Sequence, residues 1–335
     1  MSLSLEYLEG CAAETGYQVL TLEKVARLGE LAADISRDAF LRAALALKGG
    51  SALNLCFGPP SRLSVDLDFN YIGHIEREKM LADRPLVEKA TDQLAQRHGY
   101  MVQHSADSFV GHKMYLTYPS VLGQRERIEV DLNFLFRLPI SGTDTRQMWQ
   151  PGELDQPQVR VVGLGELITG KLLALLDRGA PRDAWDVGRL PSLAEGELAS
   201  RLFRARFIAL SATLEHPLPS YTVEGLAKHI ADQGAEHQLS PLLAHDQAPQ
   251  PHVLTERAWN VLRPFLSLRP EEKEYVEALD RGELRLEILL PDDREEAFRL
   301  SLHPALQWKA MNVRDLLAKR RTPGRPRTSG DPRGT

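Results

Sequence analysis

The chain has 335 residues, 43% of them hydrophobic and 26% charged, with a net charge of -5. That is the balance of an ordinary globular protein, with length for a large core and more than one domain. Two cysteines, Cys11 and Cys56, exclude a disulfide framework and a cysteine zinc site and fit a reducing compartment.

No apolar stretch approaches the length that crosses a bilayer, so no membrane partner is expected. The N-terminal MSLSLEYLEG lacks a basic segment followed by an apolar run. No signal peptide is therefore expected, and the cytoplasm is the expected location. A net-negative chain that handles nucleic acid must gather its basic residues locally, so whole-chain charge neither favours nor excludes that partner.

In chain order, residues 22–43 carry Leu, Val, Ala and Ile at helical spacing. The short apolar run ALAL leads into Lys48-Gly49-Gly50-Ser51, after which SALNLCF reads as a helix capped by Ser51. Gly58-Pro59-Pro60 breaks it. Val65 to Phe69 alternate strictly, which predicts a strand. Residues 76–98 read as helix. Residues 109–118 and 126–136 read as antiparallel strands with Gly123-Gln124 near the turn, and QVRVV at 158–162 as one more short strand.

The character changes near residue 165. ELITGKLLALLDRG is an amphipathic helix, and most of the chain to about residue 318 has helical pattern. This predicts a domain at 1–164, a helical domain at 165–318, and a disordered basic tail at 319–335. The tail holds six Lys/Arg against one Asp, without apolar residues. Such a tail attracts phosphate backbones by salt-sensitive contacts, or has no role at all.

The candidate chemistry begins in Val65-Asp66-Leu67-Asp68-Phe69. The period of a strand puts Asp66 and Asp68 on one face and the apolar residues on the other. Two carboxylates on a rigid strand repel unless divalent cations sit beside them, as in two-metal phosphoryl transfer. The bland alternative is an acidic strand facing water, although Asp is unfavourable in strands. Upstream, Gly49-Gly50-Ser51 opens a helix whose free N–H groups can cradle phosphate oxygens. A third carboxylate stands in Ile128-Glu129-Val130-Asp131-Leu132-Asn133-Phe134, where Glu129, Asp131 and Asn133 share a face. If that strand lies beside Asp66, then Asp131 or Glu129 completes the metal site or takes a proton.

Further on, Lys171 and Arg178 share a helix face, and Arg182-Asp183-Ala184-Trp185-Asp186 opens another helix. Spacing alone favours a surface ion pair between Arg182 and Asp186, worth ~0.3–0.5 kcal/mol. The functional alternative gives Lys171 the triphosphate, with Asp186 orienting that lysine or binding ribose. The leucines of this helix define its core side, leaving Lys171 on an opposite or flanking stripe. On that stripe, truncating Lys171 changes stability by less than ~0.5 kcal/mol.

Together LKGGSALNLCFG (47–58), RLSVDLDFNYIG (62–73) and GKLLALLDRGAPRDAWDV (170–187) resemble the AbiEii/AbiGii toxin-like nucleotidyltransferases, which include the MenT toxins and sit within the DNA polymerase β-like superfamily. The resemblance covers roughly residues 40–190. It implies an α+β fold, a mixed-sheet nucleotidyltransferase core with a mainly helical C-terminal domain. It implies a nucleoside triphosphate substrate and Mg²⁺. By position, Ser51 matches the phosphate-binding serine, Asp66 and Asp68 the metal pair, and Lys171 and Asp186 the lysine and aspartate of the helical motif. Asp131 matches the third carboxylate less tightly.

The family further implies transfer of a nucleoside monophosphate to the 3′ end of RNA, tRNA before others. It implies a cognate antitoxin protein and a place in phage defence. The rival readings are nucleotidylation of a small molecule or protein, and a non-catalytic nucleotide- or partner-binding protein.

Overall fold

A computed structural model describes residues 3–106, 108–246 and 248–321. Helix α1 (Leu5–Thr15) is capped by the Ser4 hydroxyl and stopped by Gly16 in the left-handed region. The helix expected over 22–43 is two, α2 (Val19–Arg37) and α3 (Ala39–Ala44). They divide at Asp38, whose carboxylate accepts from the N–H groups of Phe40 and Leu41 and so starts a new helix.

Strand β1 (Leu45–Lys48) follows, then α4 (Gly49–Cys56), β2 (Asp66–Tyr71) and α5 (Arg77–Arg97). Next come β3 (Met101–His104), β4 (Gly111–Pro119), β5 (Arg125–Asn133), β6 (Thr143–Gln147) and β7 (Gln158–Val162). The remaining helices are α6 (Leu164–Arg178), α7 (Pro181–Leu198), α8 (Arg201–Ser211), α9 (Val223–Asp232), α10 (Ala235–Gln238), α11 (Pro251–Leu266), α12 (Pro270–Leu279), α13 (Arg294–Ser301) and α14 (Pro304–Arg321). The fold is α+β, a mixed sheet followed by a helical region. The α14 helix carries residues 319–321, so the expected tail does not begin at 319. Residues 322–335 lie outside the described residues.

The seven strands form one sheet in the order β3-β4-β5-β2-β1-β7-β6. β2 runs antiparallel to β1 and parallel to β5, and β4 and β5 form the expected antiparallel hairpin. Alternation gives the sheet two unlike faces. Leu67, Phe69, Val130, Leu132, Met114 and Leu116 are buried on one. Helices α2 and α5 cover it, with the Arg27 guanidinium of α2 4.0 Å above the Tyr118 ring. Asp66, Asp68, Glu129 and Asp131 stand on the other, under α6 and α7.

Helices α6 and α7 form a hairpin. Gly179 ends α6 in the left-handed region and Pro181 opens α7, the residues that suit a helix stop and a helix start. α6 also packs on α4 and α8, so it is enclosed on several sides. No helix among the described residues is long and apolar enough to cross a membrane.

Candidate active site

Register puts the carboxylates together. Asp66 lies opposite Glu129 and Asp68 opposite Asp131 on the parallel pair β2–β5. The Asp68 row continues outward to Lys48 on β1 and Lys113 on β4. Two acidic residues therefore stand side by side between two lysines, on a rigid sheet.

Glu129 is held by Lys113 at 3.2 Å and Arg127 at 3.0 Å, whereas no ion pair within 4.0 Å engages Asp131 or Asp68 among the described residues. Burial first, and then the Asp68 charge, raise the pKa of Asp66. Burial raises Asp131 as well, opposed by Lys48 and reinforced by Asp68. Each group keeps a proton more readily than a free aspartate unless a cation comes between them.

The two glycines abut this row. Gly49 has φ +70°, and a Cβ there would sit 2.4 Å from the Asp68 Oδ2. A Cβ on Gly50 would meet Ser64 Oγ at 2.8 Å, Arg62 at 3.0 Å and the Lys171 ammonium at 3.6 Å. The helix start is thus threaded between the Asp68 carboxylate and the Lys171 ammonium, where only backbone fits. α4 begins at Gly49, two residues before the expected start. Ser51 is accordingly not its cap: it is fully buried, and its hydroxyl donates to the Asp66 carbonyl. It pins the carboxylate strand to α4.

Lys171, Asp183, Asp186 and Arg62 form a buried charge cluster, with the exposed Arg178 at its rim. The Lys171 Nζ lies 2.6 Å from Asp186 and 3.2 Å from Asp183. Arg62 donates from Nε and a terminal nitrogen to the two Asp186 oxygens, at 2.8 and 2.6 Å. Arg178 Nε reaches Asp183 at 2.6 Å, and Asn54 donates to Asp186 at 3.0 Å.

Burial would raise both aspartates, but Lys171 and an arginine on each outweigh it and hold both below the usual carboxylate range. Three cations face two carboxylates, leaving one excess positive charge beside the metal-type row. The surface pair expected between Arg182 and Asp186 is absent. The first turn of α7 points Asp183 and Asp186 inward at α6, and Arg182 turns the other way, 3.7 Å from Asp66. Lys171 is correspondingly buried rather than on an exposed stripe, because α4 and α7 cover the flank that amphipathicity left open.

A cleft of about 500 Å³ runs along these groups, lined by Asp68, Asp131, Lys171 and Arg178 at one end and by Phe136, Leu214 and Trp308 at the other. Glu166 closes its floor, accepting from Asn70 and from the Ile140 N–H. Burial pushes its carboxyl up to about 7.

The family model for the nucleotidyl transferase AbiEii toxin, a type IV toxin–antitoxin system, matches residues 33–281. The chain belongs to the AbiEii nucleotidyltransferase toxin family. Among solved structures it is similar to MenT4, a nucleotidyltransferase toxin from Mycobacterium tuberculosis H37Rv. That match has a TM-score of 0.60 and 17% identity over 90% of this chain and 99% of the other. It also matches JHP933 from Helicobacter pylori, at TM-score 0.44 and 16% identity over 78% of this chain and 97% of the other. No curated protein sequence matches it.

The MenT4 likeness shows the shared fold, and the family match identifies a toxin-family nucleotidyltransferase. The all-oxygen set of Asp66, Asp68 and Asp131 is of the type that hard divalent cations choose. Among the described residues these three do not bring donor oxygens within 4.8 Å of one another.

Arg62 and Lys48 carry no role in the motif-based expectations, and Arg182 only that of a surface partner for Asp186. Arg62 stands inside the RLSVDLDF segment, but its partner is 124 residues away and spacing cannot point to it. Lys48 lies opposite Asp68 on the β1–β2 pair, a register that spacing cannot show either.

Proposed function

We propose that this protein transfers a nucleoside monophosphate from a nucleoside triphosphate to the 3′ end of RNA, tRNA first among acceptors, and that a cognate antitoxin restrains it. The observation that carries this reading is the Asp68–Asp131 row facing the Lys171–Arg178 cluster across the Gly49–Gly50 helix start. Asp66, Asp68 and Asp131 would hold Mg²⁺, which when bound supplies charge neutralisation at the reacting phosphate and lowers the pKa of an attacking hydroxyl.

The chain's own residues do the rest. Backbone N–H groups at the start of α4 and the excess charge of Lys171 and Arg178 hold the triphosphate. Ser51 contributes by fixing the carboxylate strand, and Asp186 by fixing Lys171. Asp131 either assists in holding the cation or accepts the proton of the acceptor hydroxyl.

A specific feature favours RNA over a small-molecule acceptor. Lys113, Arg127 and Tyr115 continue the carboxylate face along β4 and β5, with the Arg127 guanidinium 4.6 Å above the Tyr115 ring. Cations beside an aromatic face suit a phosphate backbone and a stacked base.

The test is incubation with each labelled triphosphate, Mg²⁺ and total cellular RNA, then sequencing of the labelled species. Label in RNA that disappears with Asp66→Asn supports the reading. Label only in small molecules or protein overturns the acceptor, and no label anywhere overturns the activity. Expression of the chain alone should slow growth, and expression of Asp66→Asn should not.

A further inference from the structure

On the opposite side of the sheet from the carboxylate row, one donor atom each of Asp92, His104 and His112 comes within 4.8 Å of the other two, the one such group among the described residues. Three elements meet there. Asp92 comes from α5, His104 from the end of β3, and His112 from the start of β4. Register confirms the face: His104 lies opposite Met114 and His112 opposite Leu132, on the side that α5 covers.

The two imidazoles are 3.0 Å apart, His104 Nδ1 to His112 Nε2, with ring centroids at 4.9 Å. Two nitrogens bound to one tetrahedral zinc at ~2.0–2.1 Å each would be about 3.3 Å apart. The rings are therefore within a few tenths of an ångström of ligating separation, and each must turn one lone pair inward. Asp92 Oδ2 lies 3.4 Å from His104 Nε2, the ring nitrogen other than the one that faces His112, while its Oδ1 is buried without a hydrogen-bond partner. An unpartnered buried carboxylate oxygen is costly in a protein interior. Glu88, one turn before Asp92, has an oxygen 3.7 Å from His112 Nδ1 and is steadied by Arg84 at 2.7 Å.

We propose that Asp92, His104 and His112 form a binding site for a divalent transition metal of the zinc class, separate from the nucleotidyl-transfer site, with Glu88 orienting His112. Two imidazoles and a carboxylate are a nitrogen-rich set, which selects Zn²⁺ over Mg²⁺. A carboxylate behind a ligating imidazole is the usual support for such a ligand. The ion ties the edge strand β3, paired only with β4, to helix α5. It also fixes β4 at His112, the neighbour of Lys113, whose side chain points through to the carboxylate row on the other face.

The experiment uses the full chain carrying Asp66→Asn and Asp68→Asn, so that the transfer site does not compete. The protein is incubated with Zn²⁺ in the presence of millimolar Mg²⁺, gel-filtered, and assayed for metal, and Co²⁺ is substituted for its visible spectrum. The expected result is one equivalent of Zn²⁺, an intense tetrahedral-type Co²⁺ spectrum, and slowed hydrogen exchange in β3. Retention should fall at least tenfold with His104→Ala. His104 is half-exposed, so that variant keeps the fold, which circular dichroism verifies, and His112→Gln provides a second test. Failure to retain Zn²⁺, or equal retention by folded His104→Ala and His112→Gln proteins, overturns the site.

Discussion

The Lys171 ammonium lies 2.6 Å from an Asp186 oxygen at a place almost closed to solvent, and Arg62 grips the same carboxylate from its other side. Removing one partner from such a cluster leaves the others buried and unpaired, at a cost of about 3–5 kcal/mol. Asp186→Asn should therefore lower the unfolding free energy by that order, and denaturant titration reads it directly. A change below about 1 kcal/mol would mean that the cluster is hydrated and weak. Lys171→Ala should both destabilise the chain and cut transfer strongly, unlike a change on an exposed stripe.

Asp66→Asn and Asp68→Asn should behave oppositely. Each removes a charge from a crowded row, so thermal stability at pH 7 should hold or rise. Transfer should fall by about a thousandfold or more, the scale expected when several kcal/mol of charge stabilisation are lost. A melting curve and a labelled-triphosphate assay on the same preparation separate the two effects. Retained transfer by a folded Asp66→Asn protein would remove the carboxylate row from the mechanism.

Gly49→Ala tests the close approach at the helix start. A Cβ there meets the Asp68 carboxylate at 2.4 Å, and the left-handed backbone adds about 1–2 kcal/mol of strain. The expected result is loss of transfer with modest destabilisation. Gly58→Ala is the control, since Gly58 also has a positive φ, +99°, but nothing within 4 Å. It should strain the backbone and leave transfer near normal.

Glu166 gives the fold a pH dependence. Its carboxyl sits at about 7 against an ordinary 4.5, because burial disfavours its charge. The folded chain binds this proton more tightly than the unfolded chain does. The stability it contributes is full below about pH 4.5 and is lost as the pH rises to about 7, on the order of 3 kcal/mol in all. Melting temperatures from pH 4.5 to 8 for the protein and for Glu166→Gln should therefore diverge in slope across that window. Parallel curves would place the Glu166 pKa near that of an exposed carboxylate.

Much of the site follows from period-two alternation. It places Asp66 with Asp68, and Asp131 with Glu129, before any coordinates are known, and the glycine pair marks the helix start. Register between β2 and β5 then decides for Asp131 as the partner of Asp68, and no local pattern carries that information. The strands MVQH and TDTRQ escape detection because edge strands bury little and need no apolar face. The burial of Lys171 also escapes, since amphipathicity describes one helix while three neighbours enclose it. The Asp38 break was visible in principle, an aspartate followed by a new helical run.

The Arg62–Asp186 pair has a consequence on the ribosome. Asp68, Asp131 and the glycine turn leave the exit tunnel well before α7, and until then Arg62 and Lys171 have no carboxylate to settle against. The nascent chain thus carries its acidic row early, while Arg62 and Lys171 stay without Asp186 until that residue has emerged. Lys171 and Arg62 are therefore locked against Asp186 only after more than half of the chain has been made.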